Sequence, residues 1–156
     1  MTPAKPSVIE AILEKLDSDL AVAISAAENA RDTATSKENI AENKYDTLGL
    51  EAAYLAHGQS NRAQRLAEER SALAALSRES DSETVVLGSL VSVIREDDST
   101  KWVFVGPGAA GLTLTVESQE IVVVTRESPL GSNLWGLSVY DVARVNGVEL
   151  EVVEIL

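Results

Sequence analysis

Two regimes of hydrophobic spacing divide the chain. From Ser7 to about Thr35 the residues Ile9, Ile12/Leu13, Leu16, Leu20, Ile24, Ala27, Ala30 and Ala34 recur by threes and fours, the stripe of a coiled-coil helix. Pro6 with Ser7 beside it suits a helix start, and neither glycine nor proline interrupts until Gly49. A second stripe, Leu48, Ala52, Leu55, Gln59, Arg62/Ala63, Leu66, Arg70, Leu73 and Leu76, predicts another long helix. Folded back as an antiparallel pair, the helices set Ile9 against the region of Leu76, Leu20 against Leu66 and Ala34 against Ala52, with a turn near Glu42. Alanine replaces leucine toward that turn, so the helices can approach more closely there. A helix of about thirty residues spans roughly 45 Å at ~1.5 Å per residue. That is longer than a small domain needs, so a protruding rod is expected.

After the polar linker SRESDSET the pattern changes to short β-branched runs: VVLGSLVSVI, KWVFVG, LTLTV, EIVVVT, DVARV and VELEVVEIL. The turn-forming stretches EDDSTK, GPGAAG and VNG separate several of them. Between two strands SPLGSNLWGL carries Ser-Pro at a helix start and apolar residues at helical spacing, which predicts one short helix. The expected organisation is α+β: a helical hairpin over residues 1–80 and an antiparallel β domain with one short helix over 81–156.

Composition narrows the function. The 156 residues, 45% hydrophobic, can bury a core in one medium or two small domains. Thirteen Lys and Arg against 25 Asp and Glu give a formal charge of −12, which disfavours independent DNA or RNA binding through phosphates. Cysteine is absent, so disulfides, thiolate zinc sites and cysteine nucleophiles are excluded together. The opening MTPAKPSVIEAILEKLDSDL places acids within its apolar part, unlike a signal peptide, and no apolar segment has membrane length. These features fit the cytoplasm, with no membrane partner. The glycines of GPGAAG read as a turn, since no P-loop lysine or long helix follows. Ser128 has no nucleophile elbow, and the one histidine, His57, lies in the hairpin. Tyr54 and His57 read as local packing, and a lone His is a poor zinc site.

The segments VVLGSLVSVI, WVFVGPGAAG, EIVVVTRESPLGSNLWGLSVYDVARV and NGVELEVVEIL resemble the C-terminal domain of the Gre family, the GreA/GreB-type transcription elongation factors of bacteria. Ser128-Pro129-Leu130-Gly131, Leu134, Gly136 and Asp141 match that pattern, while Tyr140 stands where a Gly usually precedes the Asp. The hairpin matches in shape and length. The resemblance implies an FKBP-like β domain that docks on bacterial RNA polymerase at the mouth of its secondary channel. It also implies a hairpin whose tip acids help hold a second Mg²⁺ in the polymerase's own active site. The chain would then be a regulator with no cofactor of its own. Ser128, Pro129, Leu130, Gly131, Leu134 and Trp135 would form the protein-binding group, with Leu130 and Leu134 also suited to the core.

The tip segment TSKENIAENKYDT, residues 35–47, carries Glu38, Glu42 and Asp46 at four-residue spacing. The family's motif is Asp-x-x-Glu-Asn. Aligning on Glu38-Asn39 puts Thr35 in the Asp position, and aligning on Glu42-Asn43 puts Asn39 there. Glu38 and Glu42 are the candidate metal contacts when inserted in polymerase, with Asp46 as auxiliary. Three readings stand side by side: a solvated turn, an acidic tip that stimulates RNA cleavage, and a tip that binds without cleavage. From other classes come an adaptor whose hairpin pairs with a helical protein and a stand-alone FKBP-like isomerase. The isomerase is disfavoured because the β domain holds only Trp102, Phe104, Trp135 and Tyr140 as aromatics.

Overall fold

The helical stripes form the two long helices they predict. A computed structural model describes the backbone of residues 1–38, 44–79 and 82–156, and the side chains of 1–35, 50–79 and 82–156. Helix α1 runs Lys5–Glu38 and α2 Lys44–Ala74, followed by strands β1 Leu90–Arg95, β2 Thr100–Val105, β3 Thr113–Val116 and β4 Gln119–Val124. Helix α3, Pro129–Leu134, precedes β5 Val142–Val145 and β6 Val148–Ile155. The chain divides into a unit of Met1–Leu13 with Ser71–Leu156 and a unit of Glu14–Arg70.

Within Glu14–Arg70 the helices pair antiparallel, since Arg70 near the end of α2 forms an ion pair with Asp17 near the start of α1. Leu16, Ala23, Ala27, Ala30 and Ala34 are buried on α1, and Ala56 on α2. The small side chains permit close backbone approach. Two expected seam positions fall outside it: Ile24 is 43% and Leu55 56% exposed, while their neighbours Ala23 and Ala56 are buried. The cause is geometric. A pair of helices covers only the narrow strip between them, and spacing by threes and fours from Leu16 through Leu20 reaches Ala23 before Ala27. Residues one step off that strip stay in water whatever their hydrophobicity.

In the other unit the helix ends are tied by polar contacts. Arg78 Nη1 donates to the carbonyls of Ala74 (2.7 Å) and Leu76 (3.1 Å), capping the end of α2, and its Nη2 reaches Glu10 Oε1 at 3.2 Å. Lys5, buried, donates to the Glu79 carbonyl at 3.0 Å. The Ala4 amide donates to Glu117 Oε2 at 3.0 Å, joining the start of α1 to the β3–β4 turn. Val8, Ile9 and Ile12 are at most 1% exposed, and full burial of such side chains contributes about 1.5–3 kcal/mol each.

The six strands form one sheet in the order β3-β4-β2-β1-β6-β5. All neighbours are antiparallel except β2 and β4, which run parallel with Trp102 beside Ile121 and Val105 beside Val124. The crossover between them is carried by the GPGAAG turn and β3. Asn146 and Gly147, at φ 52° and 78°, close the two-residue turn between the paired residues Val145 and Val148, as Asn-Gly between strands predicts. Alternation splits the core. Val91, Val93, Val103, Val105, Ala143, Leu150 and Val152 pack on one face with Leu134 of α3. Leu90, Phe104 and Ile121, all 0% exposed, alternate onto the other.

Helix α3 is held by a close backbone approach. A Cβ at Gly131 would stand 1.8 Å from the Thr125 carbonyl oxygen and 2.9 Å from Ser128 Oγ.

Because the chain lacks cysteine, cysteines placed at Leu20 and Leu66 should be joined within one chain by a short bifunctional thiol reagent. Mass analysis showing only intermolecular products would overturn the pairing. Gly131→Ala should lower the unfolding free energy by about 3 kcal/mol, the upper end of ordinary overpacking costs. Urea titration reads this directly, and an unchanged midpoint would mean that α3 can shift away from Thr125.

Candidate functional site

Ser128 is fixed by three hydrogen bonds. Its Oγ accepts from the Gly131 amide (3.3 Å) and the Thr125 amide (3.2 Å) and donates to the Thr125 carbonyl (2.7 Å). The hydroxyl thus caps the start of α3 and ties that start to the end of β4. Pro129 follows at the first helical position, exposed, where its missing N–H costs nothing. Leu134 is 0% exposed, so its side chain belongs to the core. Leu130 and Trp135 pack partly buried against the same core. The Arg126 guanidinium lies over the Trp135 ring, 4.5 Å from its centroid, a cation–π contact. The surface offered by this group is therefore Pro129, the outer parts of Leu130 and Trp135, and Arg126. Sequence reasoning passed over Arg126, although its place two residues before Ser128 in TRESPLG was visible.

At the far ends of the helices Glu38 is the last residue of α1 and Asp46 the third of α2. They therefore belong to different helices, and their side chains, like all of Glu42, lie outside the described residues. Thr35, the residue standing in the Asp position of one register, donates its Oγ1 hydroxyl to the Arg31 carbonyl at 3.0 Å. Tyr54 does not pack as expected: it is 70% exposed, one turn after Leu50, which is 57% exposed. His57, exposed, meets the Asn61 side-chain amide through Nε2 at 3.3 Å. Among the described residues no three His, Cys, Asp or Glu come together in a group able to hold a metal. No helix is long and apolar enough to cross a membrane among them.

After α3 the chain turns at Ser138–Asp141. The Asp141 amide donates to the Ser138 carbonyl (3.0 Å), and Asp141 Oδ2 accepts from the Ser138 amide (2.8 Å). The Tyr140 amide donates to the Val152 carbonyl at 2.7 Å, while the Val152 amide donates to the Asp141 carbonyl at 2.9 Å. Two residues thus oppose one, a bulge whose first position is left-handed and usually glycine. Here it is Tyr140, at φ 75° and 78% exposed. In the β1–β2 turn, the Ser99 hydroxyl and then its amide donate to Asp97 and hold that carboxyl below its usual range.

An antiparallel helical pair followed by a mostly antiparallel six-stranded sheet with one short helix defines the class of fold. No family model matches the sequence, and no curated protein does. Among solved structures the chain is similar to the GreA factor homolog 1 (Gfh1) protein of Thermus thermophilus, at 24% identity and TM-score 0.39, covering 92% of this chain and 94% of that one. It is similar to a structure of the transcription factor Gfh1 at 24% identity and TM-score 0.40, with 92% of each chain covered. Thermus aquaticus Gfh1 gives 24% identity and TM-score 0.40, over 91% of this chain and 92% of that one.

Tyr140→Gly should stabilise the fold by about 0.5–1 kcal/mol. Relief of a left-handed non-glycine residue, worth roughly 1–2 kcal/mol, exceeds the added chain entropy of about 0.4–1 kcal/mol. A thermal melt that falls would show that the tyrosine ring makes contacts outweighing its backbone.

Proposed function

We propose that this chain is a Gre-like regulator of bacterial RNA polymerase. Its helical pair enters the secondary channel while its β domain docks outside, and together they modulate elongation, pausing or initiation. The observation that carries this reading is the bracketing of residues 39–43 by two long paired helices, α1 ending at Glu38 and α2 starting at Lys44. The segment holding both Glu-Asn pairs thus joins the ends of a helical pair. Leu50, Tyr54 and Leu55, all more than half exposed, leave apolar surface on α2, as a helix covered by another protein would. The α3 group, with Arg126 over Trp135, supplies the docking surface on the β domain.

The chemistry would be the polymerase's own. Mg²⁺ prefers oxygen ligands, commonly one or two carboxylates with phosphate and water, and a second metal can activate the attacking water. Glu38 or Glu42, with Asp46 as auxiliary, are the residues of this chain that would reach such a metal. A second reading, occupation of the channel without cleavage, is favoured by Thr35. In the register where it replaces the family's Asp, its hydroxyl is already used by its own helix, leaving a lone carboxylate for the metal.

Stalled, backtracked elongation complexes mixed with the protein and Mg²⁺ test both readings through the RNA 3′ ends. Rapid shortening that is lost in Glu38→Ala or Glu42→Ala supports cleavage stimulation. Competition with a known Gre factor without shortening supports channel occupation alone. Trp135→Ala should weaken polymerase binding about tenfold, as removal of an interface aromatic does. Failure to bind polymerase at all would sink both readings and leave the helical adaptor.

A further inference from the structure

The corner of the sheet formed by β1, β6 and β5 has an uncovered face. Ile94 pairs with Glu151, and Glu151 with Val142, so these three lie in one row across the strands. Their row is opposite in parity to Ala143, Leu150 and Val152, which face the α3 core. A register shift between Ser92 and Val93 in the β1–β6 ladder accompanies Val153 on the same surface. Val142 is 50% and Val153 44% exposed. With Ile94 they floor a groove of about 440 Å³. Its walls carry Glu96, Asp98, Glu149 and Glu151 against a single cation, Arg95. Arg144 pairs with Glu149 from the neighbouring strand. Residues 81–156 hold 4 Lys and Arg against 12 Asp and Glu, so the groove lies in a domain of net negative charge.

We propose that this face binds a short extended segment of a partner protein in which Lys or Arg alternates with aliphatic residues. The apolar floor takes the aliphatic side chains, and the carboxylates of the walls take the cations. Charge complementarity selects this occupant. A nucleic acid would meet like charge, and a second copy would bring its own −12. The groove is lined by residues of β1, β5, β6 and the β1–β2 turn and by none of α3 or of the tip, so the proposal does not depend on polymerase binding.

The test titrates the full-length, isotopically labelled chain with a synthetic peptide of alternating Lys and Val, beside an all-Lys peptide and an alternating Glu-Val peptide of equal length. The Lys-Val peptide should shift the amides of Arg95, Val142, Glu151 and Val153 first and bind at least tenfold more tightly than either control. Its affinity should fall about tenfold with added salt and in the Glu96→Lys, Glu151→Lys double variant. Val142→Ser on the edge strand should weaken it with an otherwise unchanged amide spectrum. Equal binding of the all-Lys peptide, shifts confined to the helices, an unaffected double variant, or no binding up to the peptide's solubility limit would overturn the proposal. So would a concentration-dependent dimer in sedimentation that the double variant abolishes, because that would give the face to a second copy.

Discussion

The passage from β4 into α3 depends on one steric constraint: the backbone at residue 131 passes so near the Thr125 carbonyl that a side chain there would sit 1.8 Å from the oxygen. A six-residue helix has no stability of its own, so α3 exists because it is clamped. Ser128 supplies the clamp's polar half, satisfying two amides and one carbonyl through one hydroxyl. Glycine supplies the steric half. Together they fix the depth at which Leu134 enters the core beside Val91, Val103 and Val152, and hence where Trp135 and Arg126 meet the surface. The same backbone shape serves stability and any docking role, because the exposed residues are positioned by the buried ones.

The helical pair obeys a different economy. Two helices without a third layer can dry only the strip between them, and this chain fills that strip mostly with alanine. Alanine permits close approach but buries little area, roughly 25 cal/mol per Å² of it. Such a seam is weaker than one of leucine. Leu16 is the one leucine buried among the described residues of Glu14–Arg70. Val22, Ile24, Leu50, Tyr54 and Leu55, all exposed, are the apolar residues that so narrow a seam leaves outside it.

Much of this was legible in the amino-acid sequence because local chemistry and tertiary demand agree. The Ser-Pro start of α3, the Asn-Gly turn before β6 and the long helices follow from rules a few residues wide. Ile24 and Leu55 were misplaced because hydrophobicity names a stripe about 100° wide, whereas a two-helix seam uses less of it. The parallel β2–β4 pairing could not be read from runs such as EIVVVT, whose β-branched residues suit either direction. Tyr140 was noticed as a departure at a glycine position, but its left-handed backbone became apparent only with the bulge opposite Val152. The tip acids follow from spacing and resemblance: Glu38 closes α1 and Asp46 lies in the first turn of α2, while Glu42 lies outside the described residues.

Charge links these features. A chain of −12 is repelled at long range by any nucleic-acid assembly, and over about 8–10 Å of screening at ordinary salt that repulsion fades. Association must therefore come from contacts made at close quarters or from a locally basic cavity. Residues 81–156 carry twice the net negative charge of residues 1–80, −8 against −4, so the repulsive part is largely concentrated in the β domain. The segment of residues 35–47 retains Lys37 and Lys44 among its acids, so its net negative charge is smaller than the acids alone would give.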